Sequence, residues 1–328
     1  MTSRTGTEST VTAQDAADTL DARSRPVVVA MLTYRRPDDL MTAVPALVPH
    51  LQCVTPTATL IVIDNDPQAS ARAAVATFGP HVRYVHEPRP GIAAARNRAL
   101  DQSPPDALLI FIDDDERPHP GWLTSLVDTH NKFGAAAVAG PVVSEYEHEP
   151  EEWIAAGRFF DRRRPATGTV IDVAATNNLL LDLQQVNRIG LRFDEKFGES
   201  GGSDTLFTRR LHRAGGLMVW CAEATVTDVV PAPRLTRDWV LRRAFRSGNS
   251  WGRVNIELSE SWPAQVRARV EALGGGLIRL AGGAVRFVVG IVTGSLANRA
   301  RGQRTMARGG GMVAAAVGIT YFEYRRRA

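Results

Sequence analysis

"LLIFIDDDERPHPGW", residues 108–122, drives five apolar residues straight into three aspartates and a glutamate. A buried strand ending in adjacent carboxylates sets like charges side by side, and each raises the pKa of the next unless something positive joins them. Alternate side chains of a strand share a side, so Asp113 and Asp115 aim into one space. A hard divalent cation such as Mg²⁺ is usually held by one or two carboxylates plus substrate phosphates. An acidic loop capping a helix near Pro120 accounts for the same residues, so the stretch needs its surroundings.

Upstream, "PVVVAMLTY" (26–34) and "ATLIVIDNDP" (58–67) are continuous apolar runs rich in β-branched residues, and "HVRYVHEP" (81–88) is a shorter one. They read as buried parallel strands. Between them lie helical stretches, "RPDDLMTAVPALVPHL" (36–51), "SARAAVATFG" (70–79) and "GIAAARNRALDQS" (91–103). Strand and helix alternate as far as residue 125, which predicts an α/β fold with a doubly wound, mostly parallel sheet and helices on both faces. Ligands of such sheets bind beyond the carboxyl ends of the strands. Two strands end there in acid: Asp64 and Asp66 on one, Asp113 to Asp115 on the other. Past this half, "GAAAVAGPVVSEYE" (134–147) reads as an edge strand.

Two further constellations stand out. Gly91 opens a small-residue helix carrying Arg96 and Arg98, an arrangement suited to an anion, although Arg98 reads equally as a solvated charge. "GESGGSDTLFTRRLHRAGG" (198–216) places Asp204 in the first turn of a helix after a Gly-Gly turn. A carboxylate there can act as a general base, or Ser203 or Asp204 can serve as a helix cap.

In order, "TYRRPDDL", "IVIDNDP", "GIAAARNRAL", "IFIDDDERPHPGWL", "NNLLL" and "GGSDTLFTRRLHRAGG" resemble the family 2 glycosyltransferases of GT-A fold. The likeness spans residues 27–230, and the pattern looks most like the bacterial polysaccharide-building members, such as those of succinoglycan synthesis. The resemblance implies an inverting transferase that takes a sugar from a nucleotide sugar, with a UDP-sugar foremost, and uses Mn²⁺ or Mg²⁺. It implies that Thr33 and Tyr34 flank the nucleotide and that Asp64 binds the uracil or ribose. It matches Arg96 and Asn97 to the family's Ala-Arg-Asn, and Asp113 and Asp115 to its Asp-x-Asp. Asn177 and Asn178 would lie near the donor sugar or acceptor, and Asp204 would be the catalytic base. Two positions depart from the family: Ser203 stands where Glu usually precedes the base, and Asp228 stands where many members place a metal-completing His. Asp228 is therefore expected to supply an oxygen ligand, with a surface turn residue as the alternative.

These expectations divide the chain into a disordered 1–24 without a secretory leader, a GT-A domain over 25–235 and a helical basic extension over 236–328. Within the domain, 25–125 is the nucleotide-binding half and 126–235 the acceptor half. Of the 328 residues, 44% are hydrophobic and 23% charged, ordinary for a globular protein. The two cysteines, Cys53 and Cys221, form no metal-type spacing and point to a cytoplasmic setting without a disulfide framework. Residues 274–328 hold nine arginines and one glutamate, a net +8 in a chain whose total is +4, so the body is acidic and the tail basic. That tail offers two apolar pieces, 277–297 and 312–322, bracketed by arginines. With no run of roughly 18 apolar residues free of charge, they read as interfacial helices on the anionic inner face of the cell membrane. A helical hairpin buried in a dimer interface competes with that reading, and oligomeric state stays open. The partners expected are a nucleotide sugar, a glycan or lipid-linked acceptor and an anionic membrane surface, with no nucleic acid. The rival functions are a nucleotidyltransferase, for which the first strand lacks a Gly-rich signature with a following Lys, and a degenerate transferase acting as a sugar-binding scaffold, which Ser203 favours. No Gln-x-x-Arg-Trp motif of processive members occurs.

Overall fold

The computed structural model describes residues 25–54, 56–162 and 164–322; the segment expected to be disordered, 1–24, lies outside them. In chain order the main elements are β1 (Val27–Thr33), α1 (Pro37–Leu51), β2 (Thr59–Asp64), α2 (Arg72–Val75), β3 (Val82–His86), α3 (Ile92–Gln102), β4 (Leu108–Asp113), β5 (Glu116–Pro118), α4 (Trp122–Phe133), β6 (Ala137–Ala139) and β7 (Val142–Tyr146). They continue with α5 (Glu152–Gly157), β8 (Asn178–Asp182), α6 (Leu183–Arg188), α7 (Ser203–Arg213), β9 (Met218–Trp220), β10 (Val226–Val230), α8 (Arg237–Glu257), α9 (Trp262–Val292) and α10 (Leu296–Ala316).

The central sheet has seven strands in the order β3-β2-β1-β4-β8-β6-β9. Its first four strands are parallel, and β8 alone runs against its neighbours. The apolar runs of β1, β2 and β4 are buried almost throughout because helices cover both faces. One face packs Leu40, Val44 and Leu47 of α1 with Trp122 of α4. The other packs Ala93, Ala95 and Ala99 of α3 with Phe193 and Phe207. Each fully buried Leu, Ile, Val or Phe contributes about 1.5–3 kcal/mol relative to exposure. The stretch expected to be one edge strand divides at Gly140-Pro141. Its first part, β6, lies inside the central sheet, and its second, β7, joins β5 and β10 in a separate three-stranded sheet. The "SARAAVATFG" helix is shorter than its apolar pattern suggests, one α turn followed by a 3₁₀ turn.

Beyond the α/β body, α8, α9 and α10 each begin with a capping hydroxyl, from Thr236, Ser261 and Ser295. Antiparallel α9 and α10 meet through glycines: a Cβ on Gly302 would stand 2.7 Å from the Gly283 carbonyl oxygen, and one on Gly283 2.8 Å from that of Gly302. Only hydrogen-sized side chains permit that approach. The second apolar piece of the tail does not form an interfacial helix. Met312 and Ala314 to Ala316 are buried at the end of α10, and Asn249 of α8 donates to the Ile319 carbonyl at 2.8 Å. By contrast α9 turns its apolar side outward, with Trp262 76%, Ile278 73% and Val292 81% exposed. Contrary to the expectation from uninterrupted apolar runs, this helix is long and apolar enough to cross a membrane by length and composition.

Candidate active site

Register assembles the site. Thr33 pairs with Asp64 across β1–β2, and Leu32 with Asp113 across β1–β4, so both acidic strand ends reach one edge of the central sheet. In the second sheet Asp228 of β10 pairs with Glu116 of β5. That pairing carries a carboxylate from 112 residues downstream back to the acidic turn. The result is a cavity of about 730 Å³ lined by Thr33, Tyr34, Asn65, Asp113, Asp115, Asn177 and Asp228 together with several arginines.

Burial, reinforced by Asp115, pushes Asp113 up to about 7. Burial pushes Asp114 up to about 6, although Arg36 and the Thr33 hydroxyl oppose it. Burial and then Asp113 hold Glu116 well above the usual carboxylate range, and burial and Asp115 raise Asp228. The turn is braced from several sides. Thr33 Oγ1 donates to Asp114 Oδ2 at 2.8 Å, and Arg36 reaches Asp114 at 3.0 Å and Asp115 at 3.2 Å. Arg234 lies 3.5 Å from Asp115, and Arg162 lies 3.4 Å from Asp228. Glu116 accepts from the Asp113 amide and from Asn177 Nδ2. The cluster is thus a negative core inside a positive rim.

A second cavity of about 420 Å³ holds Arg96, Ser203 and Asp204 and shares Ile92, Arg243 and Arg246 with the first. Gly91 opens α3 between them at φ 99°, and a Cβ there would stand 3.2 Å from Gly198 backbone atoms. Arg96 Nη1 donates to Ser203 Oγ at 2.7 Å. The residue heading α7 is Gly202, which has no side-chain cap bond, so neither Ser203 nor Asp204 is the helix cap. Asp204 instead accepts the Thr205 amide at 2.7 Å and faces the cavity.

Three expected residues stand elsewhere. Asp64 is fully buried, and its oxygens accept the Asp66 and Ala71 amides and the Tyr84 hydroxyl. It shapes the strand-end loop, while its neighbour Asn65 lines the cavity. Asn97 exchanges two hydrogen bonds, both 2.9 Å, with the Phe193 backbone. Asn178 accepts from Trp122 Nε1 and donates to the Pro141 and Ala224 carbonyls. The last two are struts joining distant segments. Sequence reasoning passed over Asn65, Arg36, Arg162 and Arg234. Asn65 directly follows β2 and Arg36 heads α1 three residues after β1, so both were findable by position; Arg162 sits in a loop and Arg234 ends a 3₁₀ turn, with no local signal.

Residues 29–193 match the family described as Glycosyl transferase family 2. The chain belongs to that family. The glycosyltransferase is 37% identical over 245 residues to the succinoglycan biosynthesis protein ExoM of Rhizobium meliloti (strain 1021), a match covering 71% of this chain and 78% of that one. Its fold superposes with a TM-score of 0.58 on the mannosyltransferase PcManGT from Pyrobaculum calidifontis, solved in complex with GDP-Man and Mn²⁺. That likeness covers 90% of this chain and 87% of the other at 18% identity. The glycosyltransferase fold is therefore GT-A, as the ordered motifs implied.

Among the described residues no three His, Cys, Asp or Glu side chains converge closely enough to cage a metal by themselves. A cation completed by substrate phosphates needs fewer. Asp228 Oδ1 is buried without a hydrogen-bond partner, and Asp113 feels both Asp115 and Asp228. This oxygen-only set fits a hard divalent ion.

Proposed function

We propose that the glycosyltransferase is an inverting, divalent-metal-dependent enzyme that moves a sugar from a nucleotide sugar to a hydroxyl of a glycan or lipid-linked acceptor in cell-surface polysaccharide synthesis. The observation that carries this reading is the placement of Asp113, Asp115 and Asp228 in one cavity whose wall is shared with the cavity of Asp204. Thr33, Tyr34 and Asn65 take the nucleoside side of the donor, and a UDP-sugar is the first candidate. Asp113, Asp115 and Asp228 would hold Mn²⁺ or Mg²⁺, which supplies charge neutralisation at the leaving diphosphate. Arg36 and Arg234 keep the Asp115 side chain in place.

Asp204 accepts the proton of the acceptor hydroxyl. That oxygen attacks the anomeric carbon from the face opposite the diphosphate, so a single displacement inverts the centre. Arg96 holds Ser203 and thereby fixes the first turn of α7, which carries the base. Ser203 leaves space where the family usually has a carboxylate, which favours an acceptor that needs no second acidic anchor. The exposed apolar side of α9, a helix that also carries exposed Arg267 and Arg286, supports attachment at the anionic cytoplasmic membrane face. The domain limits 25–235 and 236–328 are proposed on the same grounds.

Calorimetry with UDP-, GDP- and dTDP-sugars, with and without Mn²⁺, tests this. One donor should bind only with metal and be lost in Asp115→Ala, while Asp204→Asn should bind it normally and fail to transfer. A folded, metal-loaded protein that binds no donor would favour the sugar-binding scaffold instead.

A further inference from the structure

Arginines of α8 and α10 meet outside the donor cavity, and those of α10 take no part in it. A third cavity, about 240 Å³, lies between these helices and the loop after α5, and Arg162, Arg243, Arg304 and Arg308 line it together with Phe159 and Trp239. Its one carboxylate, Asp161, is taken by Arg158 at 2.6 Å, and Arg162 is engaged by Asp228. Among the described residues Arg243, Arg304 and Arg308 have no carboxylate in ion-pair reach, and Arg308 Nε is buried without an acceptor. Burial and then Arg162 and Arg246 pull Arg243 down to about 10. Burial, with Arg279 and Arg304, also lowers Arg308. Clustered guanidinium groups without a counterion are costly to hold together.

The faces of two of them are already occupied. Arg243 lies 5.1 Å over the Trp239 ring and Arg304 5.7 Å over that of Phe159. Stacking fixes the planes and leaves the N–H forks along their edges for an acceptor of several oxygens and more than one negative charge. Phosphate esters have that form and bind bidentately to such forks. Arg243 and Arg308 also line the cavity of Asp204, whereas Arg304 and Arg308 do not line the carboxylate cavity. Arg162 and Arg243 line the carboxylate cavity as well, so a group bound on Arg304 and Arg308 adjoins both the base and the donor cavity without using the carboxylates.

We propose that Arg243, Arg304 and Arg308 form a second oxyanion site, which receives a phosphate or diphosphate ester carried by the acceptor. This rests on the transferase reading, since it assigns the acceptor. The site needs no metal, unlike the diphosphate position beside Asp115, and that difference separates the two experimentally.

The test uses the full chain and inorganic pyrophosphate, titrated calorimetrically in EDTA, with Arg304→Gln and Arg308→Gln. Each loses charge-assisted hydrogen bonds, so affinity should fall about tenfold or more, while Asp115→Ala leaves it unchanged. Kinetics follow, with a glycosyl diphosphate acceptor and the same glycoside on a neutral aglycone. The variants should raise KM only for the diphosphate and leave Mn²⁺-dependent donor binding intact, which also reports correct folding. Equal pyrophosphate affinity in wild type and both variants overturns the proposal. So does a loss confined to anionic over neutral phosphatidylcholine vesicles, because the arginines would then serve a membrane headgroup. Absent donor binding beside retained pyrophosphate binding would defeat the transferase reading and leave the oxyanion site standing.

Discussion

Replacing Asn178 by Ala tests whether this residue holds the site together or touches substrate. Its side chain is 2% exposed and makes three hydrogen bonds, from Trp122 Nε1 at 2.9 Å and to the Ala224 and Pro141 carbonyls at 2.7 and 3.1 Å. The Pro141 oxygen also accepts the Val226 amide at 3.0 Å, so it stays satisfied without Asn178. Trp122 Nε1 and the Ala224 oxygen are left stranded in a closed interior. Each stranded group costs about 1–3 kcal/mol, so the variant should be destabilised by about 4 kcal/mol. The bonds tie α4, the β6–β7 corner and the start of β10 to β8, so the damage is to packing behind the acidic turn. Urea unfolding followed by tryptophan fluorescence gives the stability; donor titration below the transition gives the affinity of molecules still folded. The expected result is a large drop in midpoint with donor affinity within about threefold of wild type, that is, less than ~0.7 kcal/mol. Wild-type stability combined with a hundredfold loss of donor binding would refute this and return Asn178 to the substrate.

Three other outcomes follow from the same structure. Burial raises Asp182, but the Arg25 guanidinium at 2.5 and 3.1 Å and the Gln185 amide outweigh it, so its folded pKa lies below the ordinary 3.8. The clasp therefore stabilises at neutral pH and is lost as pH falls through that depressed value; Arg25→Ala should lower the unfolding midpoint near pH 6 and flatten its fall toward acid, and parallel curves would count against the clasp. Because Asp113 holds its proton to about 7, Mn²⁺ must displace a proton to bind; affinity should weaken below pH 7 and binding heat should vary with buffer ionisation enthalpy, and a pH-flat affinity would exclude Asp113 as a ligand. Gly302→Leu would drive a side chain into the Gly283 carbonyl, 2.7 Å from the Cβ position; overpacking of about 1–3 kcal/mol or more should open α9–α10 to limited proteolysis while donor binding persists, and unchanged cleavage would show that the helices part easily.

The parallel strands were legible because burial on both faces demands unbroken apolar runs, and residues 26–34, 58–64 and 108–112 supply them. The Asp-x-Asp was legible because a strand end and a period of two place Asp113 and Asp115 together without help from the rest of the chain. The order of motifs was enough to name the family. Other features were decided only in three dimensions. Asp64 and Asn65 are neighbours at a strand end, yet one is locked by two backbone amides and a tyrosine while the other faces the cavity; a one-residue change of side has no signature in composition. Asn178 carries the polar side chain a sugar site would want, but Trp122, 56 residues away, takes its oxygen. Asp228 gains meaning only from its pairing with Glu116 across the second sheet. The tail's two apolar pieces look alike in sequence, and packing separates them, because α10 is clasped between α8 and α9 while the outer side of α9 has no partner among the described residues. Local chemistry along the chain fixes which elements form, since each depends on neighbours a few residues apart. Which side chains meet depends on register and helix packing between segments a hundred residues apart, and that information exists only in the folded molecule.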